Sequence, residues 1–489
     1  MKKLALAAIC VSCLSGNAIA QDARTVIANA QSALGDIQSI TYSGSAREVA
    51  FQQCGANASN MTCKGTHDPM RPIMSYVRVI DLSAPLSRHT GETVNIGPGG
   101  STTVTPGTFF QQITPQQADL SQPWGQSLEL YLTPWGFLKG AAERNATVSR
   151  RNVDGTRYTV LSWSPEVTAP SGNAYEINAY LNDQNLIERV ETWLGENIMG
   201  DMHIVATYSG WRDFTGVMAP TWIVQTRGGW PFFEVDITAA RANPADLASL
   251  APEPANRPGG PGGGGGQTPE FNITREQLGE GLFRYTTGQG SYDSLIVEFR
   301  DHVMMLEAGQ SQARAAAYVE EIKRQFPEKP IRYVMNTHAH SDHSPGLPVL
   351  VAEGATIITH ENNREFFERA LNTPRTLLDD ALARNPRRAR IDGVGDMRVY
   401  TDGTRTVEFY HIYPAPHSNG LLIGYFPQEK ILFQGDFSVN PGQPANDHVK
   451  ALVAAVEKLG LDYERYINVH VSANPQTRAD VMAAIEMGR

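Results

Sequence analysis

Cysteine is scarce: four occur in 489 residues, and two of them, Cys10 and Cys13, fall within the first thirteen. The other two, Cys54 and Cys63, have no histidine cluster around them, which argues against a metal site built on cysteine. Long apolar runs are also missing. No stretch approaches the roughly 18 apolar residues that a membrane-spanning helix needs, so no transmembrane segment is expected. Positive charge is in deficit, with 41 Lys and Arg against 51 Asp and Glu and a formal net charge of −10, and this disfavours a nucleic-acid partner.

What is present begins with a leader. Lys2 and Lys3 precede an apolar stretch from Leu4 to Leu14, and Ala18-Ile19-Ala20 has the small-residue pattern of a cleavage site. Residues 1–20 are therefore expected to be a secretory signal peptide, and the product to be periplasmic or secreted. In that oxidising setting Cys54 and Cys63 are expected to close a short loop as a disulfide, stabilising by about 2–3 kcal/mol.

At this length one ordinary core is not enough, and two domains are expected. Pro252-Glu253-Pro254, Pro258-Gly259-Gly260-Pro261 and Gly262 to Gly266 mark the boundary, because such a run neither propagates a helix nor packs as a strand. The division is 21–251, 252–269 as linker, and 270–489. As a flexible tether the linker would hold the domains at about 23 Å and permit independent motion, without excluding a direct interface.

Residues 21–251 read as one amphipathic helix followed by strands. Val26, Ile27, Ala30, Leu34 and Ile37 lie at helical spacing between Asp22 and Ile37. β-like segments follow at 40–50, 74–82, 156–163, 175–181, 203–208 and 233–238, and residues 211–217 read as a hairpin turn leading to a strand from Trp222. A helix plus an antiparallel curved sheet is the expected architecture. It loosely resembles periplasmic lipoprotein-carrier domains, which implies a lipid or acyl ligand in a concavity. Trp124, Trp135, Trp163 and Trp193 read as core.

The chemistry lies in residues 270–489. The apolar run Ile331 to Met335 ends at Thr337-His338-Ala339-His340-Ser341-Asp342-His343, and His417, Asp436 and His470 follow in order. In an extended chain residues two apart point the same way, so His338 and His340 can serve one metal. Asp342 and His343 follow on a loop turning at Pro345-Gly346 and can serve a second. His417 comes after a strand-like run and can complete the first set. Asp436 ends an apolar strand in Gly-Asp, where a carboxylate can bridge two cations. A lone His at a strand end is commonly a satisfied polar residue, and His360, His411 and His448 are left in that class.

The ordered set resembles the metallo-β-lactamase-fold hydrolase superfamily, with the bridging Asp of glyoxalase II-like relatives. The resemblance implies an αββα sandwich over 270–489. It also implies that His338, His340 and His417 hold one metal and Asp342, His343 and His470 another, with Asp436 shared. Residues 294–298 and 303–309 look like the family's opening hairpin, though Glu307 stands where the family usually has Asp. At the last ligand, Val471 follows His470 where Gly is common. β-Lactamases of the superfamily usually have Cys or Ser near Asp436, so the resemblance leans toward other substrates.

Two zinc ions are expected from a His and carboxylate set without cysteine, while Fe or Mn accept the same donors. Zinc lowers the pKa of bound water to about 7, which supplies a hydroxide nucleophile at neutral pH, and Asp342 is expected to orient it and carry a proton. The reading is a hydrolase of a small-molecule ester, thioester, lactone or lactam. An iron-dependent oxygenase resembling persulfide dioxygenases, and a periplasmic lipid- or ligand-binding protein with an accessory metal domain, are the alternatives. Ser418, Asn419 and Gly420 read as a turn that could offer donors to a substrate. Arginines at 364, 369, 375, 384, 387, 388 and 390 are either a lid drawing in an anionic substrate or a solvated helix face.

Overall fold

The computed structural model describes residues 22–49, 70–96, 102–252, 271–287, 292–415, 417–440, 442–470 and 475–488. The expected leader, Cys54, Cys63 and the linker beyond Pro252 lie outside the described residues. The chain is an α+β protein of two domains with mostly antiparallel sheets.

Helical spacing of Val26, Ile27, Ala30 and Leu34 gives the buried stripe of α1 (Ala23–Leu34). The strands that follow are β1 (Ser39–Glu48), β2 (Arg71–Asp81), β3 (Leu86–Ile96) and β4 (Thr102–Ile113). After α2 (Trp124–Tyr131) and α3 (Pro134–Glu143) come β5 (Thr147–Val153), β6 (Thr156–Trp163), β7 (Ile177–Leu181), β8 (Ile187–Glu196) and β9 (Gly200–Ser209). The two-stranded ribbon β10 (Arg212–Asp213) and β11 (Met218–Ala219) occupies the expected hairpin turn and leads to β12 (Trp222–Arg227) and β13 (Trp230–Ala242). Eleven strands form one antiparallel sheet, β4-β3-β2-β1-β13-β12-β9-β8-β7-β6-β5. Its apolar face is filled by α1, α2 and α3, with Trp124, Trp135 and Trp163 at most 3% exposed. Trp193 is partly buried and stacks on His203, centroids 4.7 Å apart.

Past the short α4 (Leu247–Leu250), seven strands run in chain order through one sheet. They are β14 (Thr274–Gly279), β15 (Leu282–Thr286), β16 (Ser294–Glu298), β17 (Val303–Leu306), β18 (Ile331–Met335), β19 (Thr356–His360) and β20 (Arg390–Val394). Pairing is antiparallel as far as β17 and parallel from β17 to β20. Helices α5 (Gln312–Gln325), α6 (Leu347–Ala352), α7 (Glu361–Ala370) and α8 (Ala381–Arg384) connect the parallel strands. The other sheet holds β21 (Met397–Thr401), β22 (Thr406–His411), β23 (Leu422–Phe426), β24 (Ile431–Gln434), β25 (Arg465–Asn468) and β26 (Gln476–Thr477), with α9 (Asp447–Leu459) and α10 (Arg478–Met487). One apolar cluster joins the two sheets, with Val297, Leu306, Met335 and Ile358 from the first meeting Val407, Phe409, Phe433 and Ile467 from the second. Behind the second sheet, Leu432 and Tyr466 cluster with Val449 and Leu452 of α9 and Val481 of α10.

The arginine-bearing segment turns toward the N-terminal sheet, and it is neither an open lid nor a solvated face throughout. Arg369 lies over the Trp230 ring at 4.4 Å, and Trp230 meets Phe366 edge to face at 5.4 Å. Arg375 pairs with Asp380 and donates to the carbonyls of Asn197 (2.6 Å) and Ile198 (3.4 Å). The buried Asp201 carboxylate accepts from Thr376 N (2.8 Å), Thr376 Oγ1 (2.7 Å) and Leu377 N (2.9 Å). Gly200, at φ +62°, is required at this contact because a Cβ there would stand 2.4 Å from Pro374 O. The domains therefore meet through a built interface despite the Gly- and Pro-rich linker. Asp201→Ala leaves two amides and a hydroxyl without their acceptor and is expected to lower stability by about 3 kcal/mol. A urea midpoint of the full chain equal to wild type would show that this contact contributes nothing.

Candidate metal centre

The apolar β18 ends at Met335, and the chain then makes a tight turn in which His343 N and Ser344 N both donate to His340 O at 3.1 Å. That turn presents His338 and His340 on one side and Asp342 and His343 on the other. His417 enters from the connection after β22, Asp436 from the end of β24 and His470 from the end of β25. All seven residues singled out by their spacing meet here, at one end of the two facing sheets.

They form two donor groups that share a residue. His338, His340, His417 and Asp436 bring one ligand atom each within 4.8 Å of one another, and Asp342, His343, Asp436 and His470 do the same. Asp436 divides its oxygens between them. Oδ2 faces His417 Nε2 (2.6 Å) and His338 Nε2 (3.3 Å), while Oδ1 faces His343 Nε2 (2.6 Å) and His470 Nε2 (3.2 Å). Asp342 Oδ2 stands 3.4 Å from His470 Nε2 and 3.6 Å from His343 Nε2.

This arrangement fits metal ions on its own chemistry. His338 and His417 bring their Nε2 atoms to 3.0 Å, and His343 and His470 bring theirs to 3.2 Å. Two imidazoles bound tetrahedrally at about 2.0–2.1 Å would place their nitrogens roughly 3.3 Å apart. His340 is buried with neither ring nitrogen hydrogen-bonded among the described residues, a costly state for a polar group unless a cation takes the lone pair. Burial, reinforced by His338, pushes the His340 ring down to about 2 and so keeps it neutral; burial and His343 bring His338 down to about 4.

The second group differs electrostatically. Burial alone would lower His343, but the Asp436 and Glu307 carboxylates outweigh it and raise the ring well above its usual range. His470 is likewise lifted to about 9, its burial overcome by Asp342 and Asp436. A cation entering this group would replace protons there.

Behind the donors lies a set of residues that hold them. Glu307, fully buried, accepts from Thr337 N (2.7 Å) through Oε1, and from Tyr292 OH (2.7 Å) and His343 Nδ1 (2.9 Å) through Oε2. It sits in the left-handed region at φ +67°, a costly conformation for a residue with a side chain. Burial would raise its carboxyl, but His343 and Thr337 hold it below the usual range. Thr337 Oγ1 lies 3.0 Å from His338 Nδ1, which leaves Nε2 facing the cluster. A Cβ on Gly435 would stand 2.6 Å from Thr337 Oγ1 and 3.2 Å from the His343 ring, so the residue before Asp436 has to be glycine. Ser418 to Gly420 form a turn held from α7, where Asn362 Nδ2 donates to Asn419 O (2.9 Å) and Asn363 Nδ2 to Gly420 O (2.7 Å). His411 Nε2 also bonds Asn419 O (2.9 Å), and its ring stacks on His360 at 3.7 Å.

Spacing in the sequence did not single out Tyr292, Thr337, Gly435 or the α7 asparagines for these tasks. Gly435 had a usable signal in the Gly-Asp pair. Tyr292 had none, because its contact with Glu307 exists only once β16 and β17 are paired.

Residues 287–470 match the family model of the metallo-beta-lactamase superfamily. A segment of 192 residues, 38% of this chain, is 26% identical to 2,4-dinitroanisole O-demethylase subunit alpha of Nocardioides sp. (strain JS1661). The match covers 54% of that protein, so the chain spans about half the length of the curated relative it matches. Among solved structures, a metallo-beta-lactamase from Pontibacter korlensis is 16% identical, covering 44% of this chain and 98% of its own, with a TM-score of 0.33. One from Hirschia baltica is 23% identical with the same coverages and TM-score. With the family match falling on the segment that carries the histidine and aspartate cluster, residues 287–470 are a domain of the metallo-β-lactamase superfamily.

Proposed function

We propose that the C-terminal domain is a metal-dependent hydrolase working with two zinc ions. The observation that carries this reading is Asp436, which turns one carboxylate oxygen to each of two converging donor groups. His338, His340 and His417 would hold one ion, and Asp342, His343 and His470 the other. An all-imidazole and carboxylate set suits zinc. When bound, the ions supply an activated water at neutral pH and stabilise negative charge on the reacting oxygen.

The chain's own residues divide the remaining work. Asp342 has a side chain 37% exposed, against 13% for Asp436, so it is the acidic donor that an entering water or substrate can reach. Its carboxylate can take a proton from that water and return it to a leaving group. Glu307 and Thr337 fix the rings of His343 and His338 so that their Nε2 atoms stay on the cluster. The susceptible bond is an ester, thioester, lactone or lactam, and the name of the O-demethylase relative adds an aryl methyl ether to the candidates.

The same reading takes the layers of residues 270–489 as an αββα sandwich, 21–251 as a separate curved-sheet domain and 252–269 as its linker. It takes residues 1–20 as a secretion leader, so that the enzyme acts in the periplasm or outside the cell; a mature chain starting at Gln21 is the test of that part. For the activity, the protein is purified without chelator or added metal, analysed for elements and assayed on the five bond classes. About two zinc per chain with turnover on one class is expected. One iron per chain would replace hydrolysis by oxygen chemistry on the same donors.

A further inference from the structure

We propose that His448 is a substrate-contacting residue, offering a ring N–H to an acceptor oxygen of a substrate bound beside His417. This rests on the hydrolase reading above.

Six described histidines lie outside the two donor groups, and five of them have hydrogen-bond partners. His89 bonds Tyr76 and Gln111, His203 bonds Glu191, His302 bonds Asp301, His360 accepts from Asn362 N, and His411 bonds Asn419 O. His448 bonds nothing among the described residues, and its nitrogens are not sealed from solvent.

Its position is nonetheless fixed. It is the second residue of α9, whose start is set by the Asn446 side chain accepting from Val449 N at 3.1 Å. The ring stacks on Phe437 with centroids 5.2 Å apart and planes at 28°, and it meets the His417 ring edge to face at 5.1 Å. Phe437 is itself buried and follows Asp436 directly. A half-buried imidazole is thus clamped against a metal-ligand candidate while belonging to neither donor group. Because its nitrogens reach solvent, the fixed ring can exchange water for a polar atom of a molecule entering beside His417 at little cost. A neutral imidazole has one N–H to donate, and the carbonyl or bridging oxygen of the proposed substrates is a suitable acceptor.

The test compares full-length wild type, His448→Phe, which keeps the stacked ring without nitrogens, and His448→Gln, which restores a donor. Zinc content, hydrolysis of p-nitrophenyl acetate and the Kd of acetohydroxamate are measured for each. The expected result is equal zinc in all three, a loss of about tenfold or more in kcat/KM for Phe, and recovery to within roughly threefold for Gln. Wild-type turnover in the Phe variant overturns the proposal, and so does loss of zinc from it, which would make His448 part of the metal site. A wild type that holds zinc but leaves the ester intact counts against the ester reading alone. His448 is then judged on acetohydroxamate: weaker binding in Phe alone supports the contact, and equal Kd in all three ends it.

Discussion

Asp436→Asn is expected to yield a folded protein that retains at most one metal per chain where wild type holds two. Hydrolysis should fall by more than the roughly 10–100-fold that follows loss of a residue merely supporting a ligand. The two oxygens of Asp436 reach four histidine nitrogens at 2.6–3.3 Å, so no other side chain can substitute for it in both groups. Asparagine matches its shape, yet it carries no charge and offers one oxygen where two are needed. The group that faces the amide nitrogen then loses an acceptor and gains a donor, which opposes a cation. Elemental analysis with thermal melting in the presence and absence of zinc separates this from unfolding. Two zinc per chain in the variant, with wild-type turnover, would remove the bridging role and with it the principal support for a two-ion hydrolase.

The donors were legible in the sequence because they sit at strand ends or on the loops that follow them, and strand ends are readable from apolar runs closed by Gly, Pro or polar residues. His338 and His340 follow from period-two geometry, and Asp436 from the apolar β24 that stops at Gly435. What the pattern could not give was the supporting layer, since Tyr292, Glu307 and His343 meet only through the register of three paired strands. His448 looked like His360 and His411 in sequence. Its difference is the lack of a hydrogen-bond partner among the described residues, a property of the tertiary neighbourhood.

The N-terminal domain was legible in parts for similar reasons. Residues 156–163 are rich in β-branched and aromatic residues and form β6 over that range, and the helix expected from Asp22 to Ile37 is α1 at Ala23–Leu34. β3 and β4, each with two or more Thr and a Gly, carry too weak an alternation to mark them in the sequence. α2 and α3 were also missed, because a helix buried on most sides lacks the polar face that marks an amphipathic one; Trp124, Leu128, Trp135, Phe137 and Leu138 are all buried. The interface was hidden by composition. A Gly- and Pro-rich linker says only that the chain between domains is slack, and an arginine run does not disclose that Arg375 is buried against backbone carbonyls while Arg384 pairs at the surface.

Glu307→Gln is expected to weaken the second metal about 10–100-fold while leaving the His338, His340 and His417 group loaded. One proton on the His343 ring decides this. The Glu307 carboxylate can only accept, so His343 donates from Nδ1, and once a cation displaces the ring's other proton it is Nε2, directed at Asp436 and His470, that is left to bind the ion. Glutamine can keep the bond from Thr337 N through its carbonyl, but its amide NH2 then lies toward Tyr292 OH and His343 Nδ1. The amide donates, the ring is driven to accept at Nδ1, and its hydrogen moves to Nε2, where a cation would have to bind. Glu307→Asp keeps the charge and shortens the reach by one methylene, so it should bind more tightly than the Gln variant and less tightly than wild type. Cobalt titrations against a competing chelator give the two affinities separately. Should the Gln variant bind its second ion as wild type does, Glu307 serves only to hold Thr337 and Tyr292 in place, and the His343 ring takes its orientation from the metal itself.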